Sequence, residues 1–444
     1  MTESATSLSA PLGLLSDDDL ERLDAAACEV LERVGVTVPC VRAREALAAA
    51  GAAVDGGRVT IPADVLHGLV SRAPRRLTLG AREAETLITG NGSLLTTDGC
   101  CVEIYDLESG EKRPTGGDDV AAISRLVDAL PQVDFCWPAV SAQDYPAERR
   151  GLWELYLTLA NTGKHVQTVT VVEPLLAREA VRMAEAVAGG AEALRQAPPI
   201  SALLGTVTPL GNDEGTLEAG LVFAAAGVPI GFVSMPMGGS TTPITMAGSL
   251  AIGIAETLSA IAAVEAAVPG APVFACFIPS VMDLKTGDFT GGAPEDTLMG
   301  AAAGDIGRYY GVPTQCGVNA AGAKVPGWQS AVDDAATTFL SLLAGVDMIT
   351  GVGMVSGGRL FSLEEMVLAG ETTRLARAVV AGLQAPEAAS FLEGVPEGAA
   401  AGAPDALRRA REKARRLLAT HQPPPLEPGL DAELRRLAAG GAQA

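Results

Sequence analysis

The pattern of apolar and polar positions repeats most clearly between residues 200 and 267. Twice in this stretch, a short apolar run ends in a polar loop rich in glycine and proline and passes into an alanine-rich helical pattern. The two units are Ile200–Val207, Thr208–Gly215 and Thr216–Ala226, then Pro229–Met235, Pro236–Pro243 and Ile244–Ala267. Successive strand, loop and helix units predict parallel β/α structure, in which ligands bind at the carboxyl ends of the strands.

The same rhythm extends over the middle of the chain. Seven apolar runs predict strands, at Val133–Val140, Val166–Val172, Ile200–Val207, Pro229–Met235, Val273–Pro279, Pro313–Val318 and Asp347–Val352. A TIM-type barrel needs an eighth strand, and either residues 353–362 or a strand from the N-terminal segment could supply it. We therefore predict an α/β fold with a TIM-type (β/α)8 barrel over residues 116–383.

The segments on either side of the predicted barrel have different patterns. Residues 1–115 mix amphipathic helices with short, turn-separated strands, which predicts an α+β appendage. Residues 384–404 are rich in Ala, Gly and Pro and carry little apolar bulk, which is typical of a linker. Residues 405–444 predict a C-terminal helical tail, whose arginine-rich helix we interpret as a solvated helix on an acidic body.

Charge and cysteine usage restrict the possible partners. The 444 residues carry 32 Lys and Arg against 53 Asp and Glu, a net charge of −21, which repels nucleic acid and anionic membranes. Ile244–Val264 is apolar enough to suggest a membrane span, but Glu256 in its middle favours a buried helix. Seven cysteines without a metal-type spacing predict reduced thiols in a cytoplasmic protein with no metal site. A homo-oligomer stays open.

Candidate binding residues follow the predicted strands or lie within them. For substrate binding they are Asp213, Glu214, Phe232, Ser240, Thr241, Asp283, Lys324 and Trp328. Gly238 and Gly239, in a flexible loop, are candidates for contact with a cofactor. The three histidines show no arrangement of a Ser-His-Asp triad, and no catalytic residue is assigned.

Each of these candidates also has a purely structural interpretation. Asp213 stands where it could cap the next helix, and the run from Gly238 to Thr241 has ordinary turn chemistry. Asp283 is equally consistent with a surface loop. Lys324 is by residue type a Schiff-base candidate, although an ion pair explains it as well.

Two runs of the central stretch carry a resemblance. TPLGNDEGTLEAGLVFAAAGVPI and SMPMGGSTTPITMAGSLA closely resemble the trimethylamine methyltransferase family, the corrinoid-dependent methyltransferases that include the glycine betaine enzymes. The resemblance covers roughly residues 31–371 and implies a TIM-type barrel. Nothing in the chain marks the pyrrolysine of the trimethylamine enzymes, so the resemblance is to non-pyrrolysine members.

The resemblance implies an activity. It is removal of a methyl group from a quaternary or tertiary amine, betaine-like in type, with transfer to the cobalt of a corrinoid protein. No Asp-x-His-x-x-Gly corrinoid motif is present, so we expect no tightly bound cofactor and a corrinoid supplied by the partner protein. The cofactor carries the difficult chemistry, and the enzyme has to hold a cation, which aromatic faces and carboxylates do. Phe232 and Trp328 are the first aromatic choices.

The chain departs from the family pattern near the sixth and seventh predicted strands. Lys324 and Gln329 match, whereas Gly322 stands where the family has Asp. Val332 and Asp333 stand where it has Tyr and Glu. Two alternatives therefore stay open: a member adapted to another small molecule, and a non-catalytic binding barrel.

Overall fold

The computed structural model describes residues 11–317, 322–381 and 406–441. The predicted linker at 384–404 lies outside these residues. The helices are α1 Asp17–Arg33, α2 Val41–Ala49, α3 Ala63–Val70, α4 Gly117–Ala129, α5 Arg150–Asn161, α6 Pro174–Ala188, α7 Ala191–Gln196, α8 Glu214–Ala226, α9 Met246–Ala267, α10 Pro294–Ala301, α11 Ala303–Tyr310, α12 Trp328–Ala344, α13 Leu363–Val380, α14 Ala406–Thr420 and α15 Pro428–Ala439.

The strands are shorter, and several belong to small side sheets. They are β1 Val36–Thr37, β2 Ala53–Asp55, β3 Arg58–Thr60, β4 Thr78–Leu79, β5 Leu87–Ile88, β6 Leu94–Thr97, β7 Glu103–Tyr105, β8 Lys112–Pro114, β9 Val166–Thr168, β10 Ile200–Val207, β11 Gly211–Asn212, β12 Ile230–Ser234, β13 Met237–Gly238, β14 Val273–Phe277, β15 Ser280–Val281, β16 Thr314–Gly317, β17 Met348–Val352, β18 Met354–Val355 and β19 Leu360–Phe361.

The central sheet is parallel and follows the order β9, β10, β12, β14, β16, β17, β6. The segment Val133–Val140 occupies the gap between β6 and β9. It makes single parallel bridges, Thr96 to Phe135 and Cys136 to Val166, rather than a continuous ladder. Eight segments therefore form a ring. Within it, Val133–Val140 is joined to β6 on one side and to β9 on the other by few backbone hydrogen bonds.

The eighth strand comes from the N-terminal segment, as one of the two predicted alternatives had it. Strand β6 lies within residues 1–115 and pairs with β17, Leu94 opposite Met348. Residues 353–362 do not supply the strand, because β18 pairs with β19 and β19 pairs with β7 in a separate sheet. The barrel thus begins N-terminal to the predicted boundary at residue 115.

The amino end of the barrel is closed by the hairpin β4–β5. Leu77 and Leu79 of this hairpin join the interior side chains Phe135, Phe274 and Met348 in one apolar cluster. This packing fills the barrel from below.

Three polar side chains within the closed end, His165, Gln167 and Gln315, have hydrogen-bond partners. His165 donates from Nδ1 to the carbonyl of Gly80 (2.8 Å) and accepts at Nε2 from the Ser201 hydroxyl (2.8 Å). The amides of Gln167 and Gln315 bond each other across the ring at 2.9 Å. Buried groups with partners keep their interior place at little cost.

Helix α9 explains the membrane-like run of the sequence. Among the described residues it alone is long and apolar enough to cross a membrane, and 83% of its most apolar window is buried. It lies between the barrel and helices α1, α2 and α3. Glu256, at 0% exposure, accepts hydrogen bonds from the Thr208 hydroxyl (2.8 Å) and the Leu210 amide (2.8 Å).

The C-terminal tail is docked on the barrel. Helix α14 packs on α13 and α4. Its Arg411 pairs with Glu364 at 2.8 Å, and its Arg415 pairs with Glu108 at 2.8 Å. The basic side chains of this helix therefore meet carboxylates of the same chain, as expected of a basic helix on an acidic body.

Candidate active site

The residues predicted after the third strand lie at the start of α8. Asp213 caps this helix by accepting a hydrogen bond from the Thr216 amide at 3.0 Å, and Glu214 is exposed in its first turn. Phe232 is completely buried on the opposite face of its strand from the barrel interior. Its ring tip lies 3.5 Å from the position a Cβ on Gly220 of α8 would take. Phe232 therefore contributes packing between sheet and helix.

The loop after the fourth predicted strand is organised by its own backbone. Gly238 pairs with Val281 in the small parallel sheet of β13 and β15, and Gly239 has a φ of 86° that favours glycine. The Thr241 hydroxyl accepts a hydrogen bond from the Met237 amide at 3.0 Å, and Ser240 is exposed. This loop covers part of the barrel rim.

The remaining predicted residues are spread around the same rim. Asp283 accepts from the Lys285 amide at 2.8 Å. Lys324 is exposed, and Trp328, at 82% exposure, begins α12. No hydrogen bond or ion pair within the described part of the chain joins two of the ten predicted residues, so their ligand roles stay predictions.

A different set of side chains faces the interior at the carboxyl ends of the barrel strands. Alternate residues of each strand point inward, and contacts between neighbours identify which ones. We call this set the barrel mouth; it comprises Asp98, Trp137, Val169, Gly205, Val233, Ile278, Gly317 and Thr350.

The mouth contains open space, whereas the lower part of the barrel is filled by side chains. A Cβ built on Gly231 would lie 2.1 Å from the Phe274 ring, whereas one built on Gly205 meets no described atom within 4 Å. Gly205 lies one layer higher, because it is opposite Val233 in the ladder. Val207 and Met235 at the rim are 52% and 58% exposed. The structure therefore has a cup above the Phe274 layer.

A buried carboxylate lies in this cup. Asp98 follows β6, is 6% exposed, and accepts hydrogen bonds from the Thr350 hydroxyl and the Gly99 amide. Burial raises the pKa of Asp98 to about 6, although those two hydrogen bonds act in the opposite direction. A Cβ on Gly317 would lie 2.6 Å from the Thr350 hydroxyl oxygen and 3.1 Å from the Asp98 carboxylate. Glycine at 317 therefore leaves room for this pair.

The Cys100 thiol lies between an indole and the carboxylate. Trp137 is 5% exposed, and its Nε1 has no partner of standard hydrogen-bond geometry among the described residues. The sulfur of Cys100 lies beside that nitrogen and near Asp98. Cys100 is exposed to solvent, yet protein atoms surround it, which is typical of the wall of a concave site. The desolvation that these atoms cause raises the pKa of its thiol.

A second concavity, of about 600 Å³, lies outside the barrel. Its walls are apolar side chains of α1, α9 and α10, with Asp19 and Arg22 at the edge. It holds none of the mouth residues.

Comparison with known proteins identifies the family. The trimethylamine methyltransferase (MTTB) family matches residues 3–400. The chain belongs to this family. The sequence-based assignment is therefore confirmed, and with it the prediction of a methyltransferase.

Relatives of this family member match most of its length. It is 29% identical over 459 residues to the trimethylamine methyltransferase MttB of Desulfitobacterium hafniense (strain DSM 10664 / DCB-2), covering 95% of this chain and 92% of that protein. It is 27% identical over 339 residues to the glycine betaine methyltransferase of Desulfitobacterium hafniense (strain Y51), covering 76% and 70%.

A solved structure supports the fold. The monomethylamine methyltransferase MtmB of Methanosarcina barkeri superimposes with a TM-score of 0.55 at 13% identity, covering 96% of this chain and 87% of that one. At this identity the likeness concerns the fold alone. The predicted TIM-type architecture is confirmed.

Sequence reasoning missed the main polar residues of this family member's mouth. Asp98 lies in the segment assigned to the appendage, and Trp137 lies inside a run interpreted as a strand. The signal that could have found Asp98 is local: the apolar run Leu94–Leu95 passes through two threonines into Asp98 and Gly99. This is the same strand-then-polar-loop pattern that marks the other strand ends.

Proposed function

We propose that this family member removes a methyl group from a quaternary or tertiary amine of betaine-like type, bound in the barrel mouth. The methyl group passes to the cobalt of a corrinoid held by a partner protein. The observation that supports this most is that a buried carboxylate, Asp98, and a buried indole, Trp137, both interact with the Cys100 sulfur in the barrel mouth.

The mouth suits a methylated ammonium ion. Such a cation is held by the field of a carboxylate and by aromatic faces, with indole the best of these. A cation next to Asp98 also favours the ionised carboxyl, whose pKa burial raises to about 6 against the effect of its two hydrogen bonds. The walls Val169, Val233 and Ile278 offer apolar contact to the methyl groups.

The reaction needs little proton chemistry from the protein. The C–N bond breaks, its electron pair stays on nitrogen, and a quaternary ammonium leaves as a neutral tertiary amine. A protonated tertiary amine likewise leaves as a neutral secondary amine. The partner's corrinoid supplies, when bound, a reduced cobalt nucleophile. Asp98 and Trp137 would hold the cation, and the apolar walls would exclude water from it.

The rim leaves access for such a partner. Val207 and Met235 are exposed beside the cup, and Trp328 is exposed where α12 begins. The names of the relatives, trimethylamine methyltransferase and glycine betaine methyltransferase, agree with a methylated amine as substrate. The chain's own substrate within that class is part of the proposal.

The test compares two carboxylates and two ligands. Glycine betaine and its tert-butyl analogue, which lacks the ammonium charge, are titrated against wild type, Asp98→Asn and Glu214→Gln. Asp98→Asn should weaken betaine binding by roughly 1–3 kcal/mol, because a partly desolvated charge loses its counterpart. The tert-butyl analogue should lose much less, and the exposed Glu214→Gln should change neither.

Activity gives a second readout. Methyl transfer from glycine betaine to reduced free cobalamin should fall in Asp98→Asn and in Trp137→Leu and persist in Glu214→Gln. Equal losses of both ligands in Asp98→Asn would show that this carboxylate does not sense charge. A larger loss in Glu214→Gln than in Asp98→Asn would return the site to the loop predicted from sequence.

A further inference from the structure

Three side chains that can bind metals meet on the outer wall of the protein, away from the barrel mouth. Asp24 and Cys28 lie one turn apart on α1, and His67 projects from α3. Their ligand atoms all lie within 4.8 Å of one another. The sequence gives no metal-type spacing here, because 39 residues separate Cys28 from His67. Only the packing of α1 against α3 brings them together.

We propose that Asp24, Cys28 and His67 form a zinc-type site that fastens the N-terminal helices to the barrel wall. The donors are a carboxylate oxygen, a thiolate sulfur and an imidazole nitrogen, which are the three kinds of ligand that Zn²⁺ takes in proteins. Three protein ligands leave the fourth position to water. This assignment is independent of the proposed methyl transfer.

The distances support coordination with little movement. In a tetrahedral zinc site, neighbouring ligand atoms stand roughly 3.5 Å apart. The Cys28 sulfur lies 3.7 Å from His67 Nε2 and 3.7 Å from Asp24 Oδ1. The third pair, His67 Nε2 and Asp24 Oδ1, is hydrogen bonded at 2.8 Å. Separating that pair by several tenths of an ångström would admit the ion.

The surroundings favour a cation and orient the ligands. Glu32, two turns along α1 from Asp24, contributes further negative charge at the Cys28 sulfur. It also accepts a hydrogen bond from the Ala63 amide at 2.9 Å, which fixes the start of α3. Tyr310 of α11 donates its hydroxyl hydrogen bond to Asp24 Oδ1 at 2.7 Å. Partners of this kind hold ligands in place at metal sites.

The site is accessible from solvent. The side chain of His67 is 43% exposed and that of Asp24 is 14% exposed, while Cys28 is buried at 6%. An ion could therefore enter past the imidazole and bind the thiolate on the inner side. Because Tyr310 belongs to the barrel helix α11, binding would connect α1, α3 and the barrel.

Cobalt(II) is the probe, because a thiolate ligand gives it a near-ultraviolet charge-transfer band that oxygen and nitrogen ligands do not. Full-length protein without a histidine tag is freed of metal with a chelator and titrated with Co²⁺, then with Zn²⁺ in competition. Wild type should develop the thiolate band, and Zn²⁺ should displace it. Zn²⁺ should also raise the melting temperature of wild type.

Variants locate the site. Cys28→Ser should lose the band, His67→Gln should bind more than 100-fold more weakly, and Tyr310→Phe should lose roughly 10–100-fold, as expected for an outer partner. Cys100→Ser, which removes the exposed thiol at the mouth, is the matched control and should bind Co²⁺ and Zn²⁺ as wild type does. His67→Gln changes a half-exposed side chain and keeps the test valid if Cys28→Ser folds poorly. A wild type without the band, a band retained in Cys28→Ser, or one lost only in Cys100→Ser would overturn the proposal.

Discussion

The two ends of the barrel are built from the same alternation of inward and outward residues, yet one end is filled with packed side chains and the other is open. At the amino end, Leu79 fills the interior and both nitrogens of His165 have partners. At the carboxyl end, the space above Gly205 is open, and Asp98 is held with a raised pKa. The difference agrees with the proposal that the closed end supplies stability and the open end binds the substrate.

The largest effect should come from adding one methyl group on either side of the boundary between the ends. Gly231→Ala should destabilise the protein by about 3 kcal/mol, the upper end of the usual range for overpacking, because the new Cβ would meet the Phe274 ring. Gly205→Ala, one layer higher in the adjacent strand, should leave stability unchanged or slightly raised. Urea unfolding measures both.

For ligand binding, the two glycine variants should rank in the opposite order. Gly205→Ala should weaken glycine betaine by filling the cup, whereas Gly231→Ala, measured where it is folded, should not. If both variants lose stability equally, the cup above the Phe274 layer is not open in solution, and the comparison of the two ends fails.

At the closed end, acid should act through His165. Burial lowers the pKa of His165 to about 4, below the ordinary value of about 6.5. The folded state then resists protonation that the unfolded state accepts, so stability is complete above about pH 6.5 and falls as the pH drops toward 4. The loss amounts to about 3 kcal/mol.

The measurement is the free energy of unfolding of wild type and His165→Asn between pH 4 and 7.5. The variant should start less stable, because it lacks the paired ring, but its stability should fall less with acid. Parallel curves would mean that His165 does not titrate in this window.

At the open end, Asp98 should act in the opposite direction. Burial raises its pKa from 3.8 to about 6, so ionisation destabilises the folded state. The cost is absent below about pH 3.8 and complete above about pH 6, and stability should fall by about 3 kcal/mol as the pH rises through this window. Asp98→Asn removes the cost and should be more stable than wild type at pH 7.

Ligand binding at this end should follow the ionised carboxylate. Affinity for glycine betaine should rise as the pH increases through about 6 and then level off, because the cation binds the charged form. In Asp98→Asn the affinity should be lower and independent of pH in this range. Affinity that falls with rising pH in wild type would contradict the assignment.

The smallest effect concerns a thiol reagent at the mouth. Cys100 is exposed, and the other six cysteines are buried, so a maleimide should label Cys100 first. Labelling should be slow, because desolvation raises the pKa of this thiol. Bound glycine betaine should slow it a further few-fold. Cys100→Ser should abolish the early labelling, and equal rates with and without ligand would place the ligand elsewhere.

Patterns within the sequence were enough to predict the architecture and the family. The β/α rhythm predicted the strands from Val166 to Val352 within a few residues, and Glu256 correctly identified the apolar run of α9 as buried. Two runs of the central stretch identified the family. These are local properties, since periodicity and motifs are read from residues close together in the chain.

Which residues face the mouth depends on how the strands pack in the folded protein. A strand's period of two separates its side chains into two faces but does not say which face is inside, and a shift of one residue exchanges them. In β12, Gly231 and Val233 face the barrel interior, so Phe232 between them faces α8. The sequence could not choose between these faces.

Ring closure and the trio on the outer wall are likewise products of packing. Strand β6 meets β17 across more than 250 residues of chain, with Leu94 opposite Met348, and this pairing places Asp98 beside Thr350. Helices α1 and α3 bring Cys28 to His67 in the same way. No pattern within one segment records such pairings, because the free energy that selects them comes from burying whole elements against one another.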